Sequence, residues 1–283
     1  MGIAEKALVF NCNDSALYGV LHLPQTPSQV AVLIVVGGPQ YRVGSHRQFI
    51  LLARFLAERG VPVLRFDYRG MGDSEGETTF DRADDDIAAA VEALCNAVPG
   101  VQKIVLWGLC DGASASLFYA PRDKRVEGLV LLNPWVRTTA GEAKAYVKHY
   151  YAERFMKAEF WKKLLSGRLN LLASIRDFFS TLRKMSPENK TGESQPTSLP
   201  ERMGKDFEKF TGPALFILSG NQDYVADEFR DLCATSRLWQ KLMARPSTTL
   251  QEFGHANHTF SSREWRDQVA ECTWEWLQRK LPM

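Results

Sequence analysis

The sequence predicts an α/β protein built on a mostly parallel sheet, and three observations carry that expectation. Short runs of Val, Ile and Leu recur along the chain, apolar on both faces as buried parallel strands are. Glycine-rich punctuation follows these runs, and stretches of helical periodicity separate them, which is the pattern of crossover connections. With 283 residues, 45% hydrophobic and 24% charged, the chain is large and apolar enough to bury a proper core, and neither disorder nor a fibrous repeat fits.

Taken in order, residues 7–23 alternate in polarity and contain Asn13-Asp14, so they read as an antiparallel hairpin ahead of the parallel set. Buried strands are expected at 30–36, 61–66, 103–107, 128–132 and 214–218, with helices at 46–59, 84–97, 112–119 and 262–280. Between 136 and 205 the rhythm stops: helix-forming aromatic sequence such as Tyr150-Tyr151-Ala152-Glu153-Arg154-Phe155 leads into a polar stretch at 186–200. Residues 136–205 therefore read as an inserted helical cap, and 1–135 with 206–283 as the core. The insertion holds 14 Lys and Arg against 7 Asp and Glu, a basic piece on a mildly acidic body. It is either a solvated amphipathic lid or a surface favouring anionic substrates, acidic partners or phospholipid head groups.

Several functional classes are disfavoured at once. A formal net charge of +2 argues against bulk electrostatic binding of nucleic acid. The longest apolar run, 30–36, ends at Gly37-Gly38, far short of the roughly 20 residues a membrane-spanning helix needs, and the N-terminal residues lack a secretory pattern. A cytoplasmic address is the expectation. Cys12, Cys95, Cys110, Cys233 and Cys272 are scattered without C-x-x-C spacing, so neither a disulfide framework nor a metal site is expected.

The strongest chemical signal is Trp107-Gly108-Leu109-Cys110-Asp111-Gly112-Ala113-Ser114, a strand running into G-x-C-x-G and then a helix. This is a nucleophile elbow with sulfur in place of oxygen: the turn is so tight that flanking glycines are a steric requirement, and the helix N-terminus favours thiolate at Cys110. A base is expected from Phe253-Gly254-His255-Ala256-Asn257-His258, on a loop expected to follow a strand and ahead of the last helix. His258 is the preferred base, with His255 shaping the loop; a zinc reading of the pair lacks further ligands. Asp223, just past the strand at 214–218, is the orienting acid, with Asp227 the alternative. The oxyanion donors are expected to be the backbone N–H of Asp111 and that of Gln40, Gly38 being the alternative because Pro39 has no N–H. Gly38, Tyr41 and Arg42 are candidate pocket residues, although the same stretch also reads as an ordinary helix entry capped by Ser45. The loop Asp67-Tyr68-Arg69-Gly70-Met71-Gly72-Asp73-Ser74-Glu75-Gly76 does not fit the dinucleotide fingerprint and reads as a tight strand-end turn.

Together these landmarks resemble the α/β-hydrolase superfamily. More narrowly, Gly37-Gly38-Pro39-Gln40-Tyr41-Arg42-Val43-Gly44-Ser45-His46-Arg47-Gln48-Phe49 and the Cys110 motif look like the bacterial exosortase A system-associated hydrolases of the first type. The resemblance implies an α/β-hydrolase fold, a mostly parallel eight-stranded sheet flanked by helices with an inserted cap, and leaves the substrate open. Cysteine in the elbow departs from the superfamily's usual serine and resembles dienelactone hydrolases and bile-acid acyltransferase-like proteins. Because a thiolate also leaves easily, activated acyl donors are expected to react better than simple alkyl esters. The expectation is thus a cofactor-independent hydrolase acting on a small acyl substrate through an acyl-thioester intermediate. The alternatives are an acyltransferase to a sugar, amine or lipid, and a non-catalytic binding protein on the same fold.

Overall fold

The computed structural model describes residues 2–37, 40–77, 83–136, 198–220 and 223–282. Eight strands form one sheet: β1 (Ala4–Cys12), β2 (Ser15–Leu23), β3 (Val30–Val35), β4 (Val63–Phe66), β5 (Lys103–Leu109), β6 (Val126–Leu132), β7 (Ala214–Ser219) and β8 (Thr248–Phe253). Their order is β1-β2-β4-β3-β5-β6-β7-β8. The first two strands form the expected antiparallel hairpin, β2 pairs antiparallel with β4, and every other pairing is parallel. The predicted eight-stranded α/β architecture is therefore the observed one.

Burial follows position in the sheet. Every residue of β3, β4 and β7 is buried because both faces are covered, whereas the edge strands β1 and β8 are largely exposed. Helix α1 (Gln48–Ala57) turns Phe49, Leu52, Ala53 and Leu56 inward, and α2 (Ala83–Ala97) turns Ile87, Ala90, Val91 and Leu94 inward, each a stripe at helical spacing. Helix α3 (Asp111–Tyr119) follows β5. It is buried from Gly112 to Tyr119, so its apolar residues cover all faces instead of one stripe. Four more aromatic rings knit the β7 side: Phe216 of β7 lies 5.5 Å from both Phe207 and Phe229, and Trp239 packs on the same two rings. Phe207, Phe229 and Trp239 come from α4 (Leu199–Lys209), α5 (Tyr224–Thr235) and α6 (Arg237–Met243); the last helix, α7 (Arg263–Lys280), is N-capped by Ser262.

Element ends differ from the sequence expectation for local reasons. Strand β4 starts at Val63 and not at 61, since Pro62 has no N–H for the ladder. The first helix starts at Gln48 and not at 46, because His46 and Arg47 have φ of 54° and 62° in a short 3-10 turn. The expected strand ahead of the histidine loop is β8, whose Thr-Thr-Leu-Gln-Glu-Phe sequence has no apolar run because it forms an edge. Met1–Val136 and Leu199–Met283 make one compact unit; α4, which spans the expected end of the cap, buries Met203 and Phe207 in it. Residues 137–197 of the expected cap lie outside the described residues. No described helix is long and apolar enough to cross a membrane.

The strand order positions the site. From β3 the chain steps to β4 on one side, and β5 continues to β6 on the other, so the loops leaving the carboxyl ends of β3 and β5 diverge. That topological switch point is where open α/β sheets leave a crevice. In the registers Val35↔Gly108, Leu109↔Leu132, Leu132↔Ile217 and Ser219↔Phe253, the ends of five strands lie side by side.

Candidate active site

Cys110 stands between β5 and α3 with φ 60° and ψ −124°, a left-handed backbone unusual for a residue with a side chain. The surroundings hold it there. Its N–H donates to Leu132 O at 2.9 Å, and its carbonyl accepts from Ala113 N at 3.1 Å and Trp135 N at 3.2 Å. A Cβ on Gly108 would come within 2.5 Å of the Gly112 backbone, and one on Gly112 within 2.4 Å of Val35 O. Both glycines are thus needed for close approach, as the elbow motif requires. A Cβ on Gly37 would meet Leu109 O at 2.2 Å and Asp111 Oδ1 at 2.4 Å, so the loop after β3 lies directly against the turn.

His258 and Asp223 come together as the sequence predicts. His258 Nδ1 donates to Asp223 Oδ2 at 2.8 Å, and the same oxygen accepts Ser219 Oγ–H at 2.6 Å. Asp223 Oδ1 accepts the Val225 N–H at 3.1 Å, which also caps α5. Burial works against charge on Asp223, but the bonds from His258 and Ser219 outweigh it and hold the carboxyl below its ordinary value. Burial likewise opposes charge on His258; the bond to Asp223 and the neighbouring Cys110 overcome it and raise the imidazole to about 10. His258 is therefore bonded to Asp223 and raised in part by its neighbour Cys110. Asp227, the alternative acid, pairs instead with Arg230 at 3.0 Å, and His255 is exposed.

The loop after β3 is held by ions. Arg42 N–H donates to Asp67 Oδ1 at 2.6 Å, while its guanidinium pairs with Asp67 and with Asp73. Arg65 Nη1 donates to Arg42 O at 3.0 Å. Arg42, expected as a pocket cation, thus has its guanidinium engaged in fixing the loop. Tyr41 is exposed, and Gln40 is half-buried with its Oε1 accepting the Ser45 N–H at 3.3 Å. Asp111 is the first residue of α3, so its N–H lies at the helix N-terminus. Gly38 lies outside the described residues. Among those described, no cluster of His, Cys, Asp and Glu could hold a metal ion.

Two residues at the site were not anticipated. Asn133, fully buried with φ 43°, donates from Nδ2 to His258 O at 3.0 Å and accepts the Ser219 N–H at 2.9 Å. Ser219 closes β7 and bonds Asp223. The available signals were an Asn directly after an apolar strand and a Ser four residues ahead of the acid.

Similarity to known proteins extends over the same core. The chain is 34% identical over 96 residues to the polyketide transferase grgF of a Penicillium species, and 35% identical over 77 residues to the human protein ABHD12B. Those stretches span 32% and 20% of the two relatives' lengths. Among solved structures, the esterase Pf2001 of Pyrococcus furiosus superposes with a TM-score of 0.67 at 19% identity, covering 99% of this chain and 92% of that one. The Penicillium hydrolase GrgF superposes with a TM-score of 0.63 at 17% identity over the whole of both chains. Residues 32–271 match the sequence profile of the Alpha/beta hydrolase family. Because that match runs from within β3 into α7, taking in most of the sheet, the chain belongs to the Alpha/beta hydrolase family.

Proposed function

We propose that this protein is a hydrolase that cleaves an ester or thioester through Cys110, His258 and Asp223. One observation carries the reading: Asp223 holds His258 Nδ1 at 2.8 Å, and Cys110, in a strained turn, is among the groups that raise this imidazole. The raised imidazole readily holds the proton that the Cys110 thiol gives up. Cys110 Sγ attacks the substrate carbonyl carbon, forming the C–S bond as the carbonyl π pair moves onto oxygen. The N–H groups of Asp111 and Gln40, or Gly38, hold that oxyanion. Collapse restores the carbonyl and breaks the bond to the leaving oxygen or sulfur, which takes the imidazolium proton. Neutral His258 then accepts a proton from water as the water attacks the acyl thioester, and the acid leaves with Cys110 regenerated as thiolate. Asp223 keeps the ring in the working tautomer throughout.

A second reading passes the acyl group to an acceptor other than water, and the likeness to a polyketide transferase over 96 residues favours it. The resemblance to exosortase A system-associated hydrolases and a cytoplasmic setting belong to the same proposal. The test is intact-protein mass spectrometry under reducing conditions with short acyl thioesters and aryl esters. Burial pushes the thiols of Cys12 and Cys233 up to about 12 and that of Cys272 to about 11, so these stay protonated at neutral pH. An adduct absent from Cys110→Ala and decaying in water establishes the hydrolase. One that persists until an acceptor is added establishes the transferase, and no adduct, with unchanged ligand binding in Cys110→Ala, leaves the binding protein.

A further inference from the structure

We infer that Asn133, at the end of β6, is a positioning residue that holds the nucleophile, base and acid in mutual register. This rests on the catalytic reading of Cys110, His258 and Asp223. The three groups come from three separate loops, after β5, β7 and β8, and no single element spans them. The segment Leu132-Asn133-Pro134-Trp135 bonds to Cys110 and to His258 and reaches Asp223 through Ser219. Leu132 O accepts the Cys110 N–H at 2.9 Å and the Trp135 N–H donates to Cys110 O at 3.2 Å, so the cysteine backbone is gripped from both sides of Asn133. Asn133 Nδ2 donates to His258 O at 3.0 Å, which fixes the backbone of the base. Asn133 Oδ1 accepts the Ser219 N–H at 2.9 Å, and Ser219 Oγ donates to the Asp223 oxygen that also receives His258 Nδ1.

The residue type follows from these demands. The position needs a donor and an acceptor on one short planar group, which only an amide provides at that length. Its φ of 43° is a conformation that Asn adopts more readily than other residues with side chains. Its own N–H donates to Ile217 O at 3.0 Å, anchoring it to β7, and the side chain is fully buried. Inside such a site each bond is worth more than at the surface, and a partner left unpaired there costs more. Asn133 therefore acts through His258 and Ser219 and does not touch the reacting atoms.

The test compares wild type with Asn133→Gly, which keeps the positive φ and removes both side-chain bonds, and Asn133→Asp, which keeps an acceptor for Ser219 N–H and loses the donor to His258. Both are melted first, and a variant unfolded at the assay temperature yields to the other. With para-nitrophenyl acetate, kcat is expected to fall ten- to a hundredfold with KM within about twofold, since misplacement of catalytic groups and not substrate binding is affected. Proton NMR of the His258 ring supplies the independent readout: the Nδ1–H signal bonded to Asp223 is present in wild type and lost or broadened in the variants. A folded variant with wild-type kcat and an unchanged Nδ1–H signal overturns the positioning role. Should wild type itself fail to turn over ester, the catalytic reading falls, while the ring signal still decides whether Asn133 positions His258.

Discussion

At the level of single residues, the raised His258 changes what the site needs from pH. A neutral histidine must begin as a base, whereas an imidazolium begins with the proton already on the ring. Its protonated form persists up to about 10, so the step in which a leaving group takes its proton is expected to slow as pH rises through about 10. Single-turnover acylation by an alkyl thioester and by para-nitrophenyl acetate checks this, because the activated phenol leaves without a proton and its rate is expected not to fall there. Stability follows the same groups. The folded value for His258 lies above that of an unfolded histidine, so its contribution is complete below about 6.5 and is lost as pH rises through about 10. The depressed Asp223 contributes above the ordinary aspartate value and loses that contribution as pH falls through its lower folded value. Urea midpoints between neutral and alkaline pH are expected to decline in wild type and to decline less in Asp223→Asn. Equal slopes in both proteins would mean that the Asp223 bond does not raise His258.

At the level of elements, the tight turn after β5 and the loop after β3 are fitted backbone to backbone. Gly108→Ala and Gly112→Ala each push a methyl into backbone that cannot swing away, so a loss of roughly 3 kcal/mol is expected in equilibrium unfolding. Gly100→Ala meets nothing within 4 Å and is expected to change stability by no more than about 0.5 kcal/mol. The contrast explains why the turn at Cys110 was legible in the sequence. A glycine two residues to either side of Cys110 is a local steric signature, and the strand and helix around it are local as well. Asp223 and His258 were legible for a related reason: each stands just beyond a strand end, so its neighbours announce it. Asn133 was not, since its partners Ser219 and His258 are 86 and 125 residues away and nothing local distinguishes it from any Asn in a turn. The ion pairs of Arg42 were hidden on the same account. A cation in a basic loop reads as a ligand for substrate until Asp67, 25 residues on, is seen beside it.

At the level of the whole molecule, the loop that carries Gln40 is tied to the far, antiparallel side of the sheet. Arg65 in the middle of β4 is buried and reaches both ways: Nη1 donates to Arg42 O at 3.0 Å, and Nε donates to His22 Nε2 on β2 at 2.8 Å. The bond to Nε2 needs a neutral imidazole. Burial and the adjacent Arg65 charge keep it so, lowering His22 to about 4 despite Glu5 at 3.5 Å. An unfolded histidine protonates near 6.5, so between about 6.5 and 4 the unfolded chain binds the extra proton and the folded one does not. The stability due to neutral His22 is therefore complete above that window and is lost as pH falls through it. His22→Gln, whose amide oxygen can accept from Arg65 Nε without titrating, is expected to lower the neutral-pH melting temperature slightly and to flatten its decline between pH 6.5 and 4. Because the same Arg65 holds Arg42, ester turnover in wild type is expected to fall more steeply than in the variant only as pH drops through about 4, where folded His22 protonates. Melting curves and initial rates at matched pH check both statements, and parallel declines in the two proteins would show that the acid sensitivity arises elsewhere than at the His22–Arg65 bond.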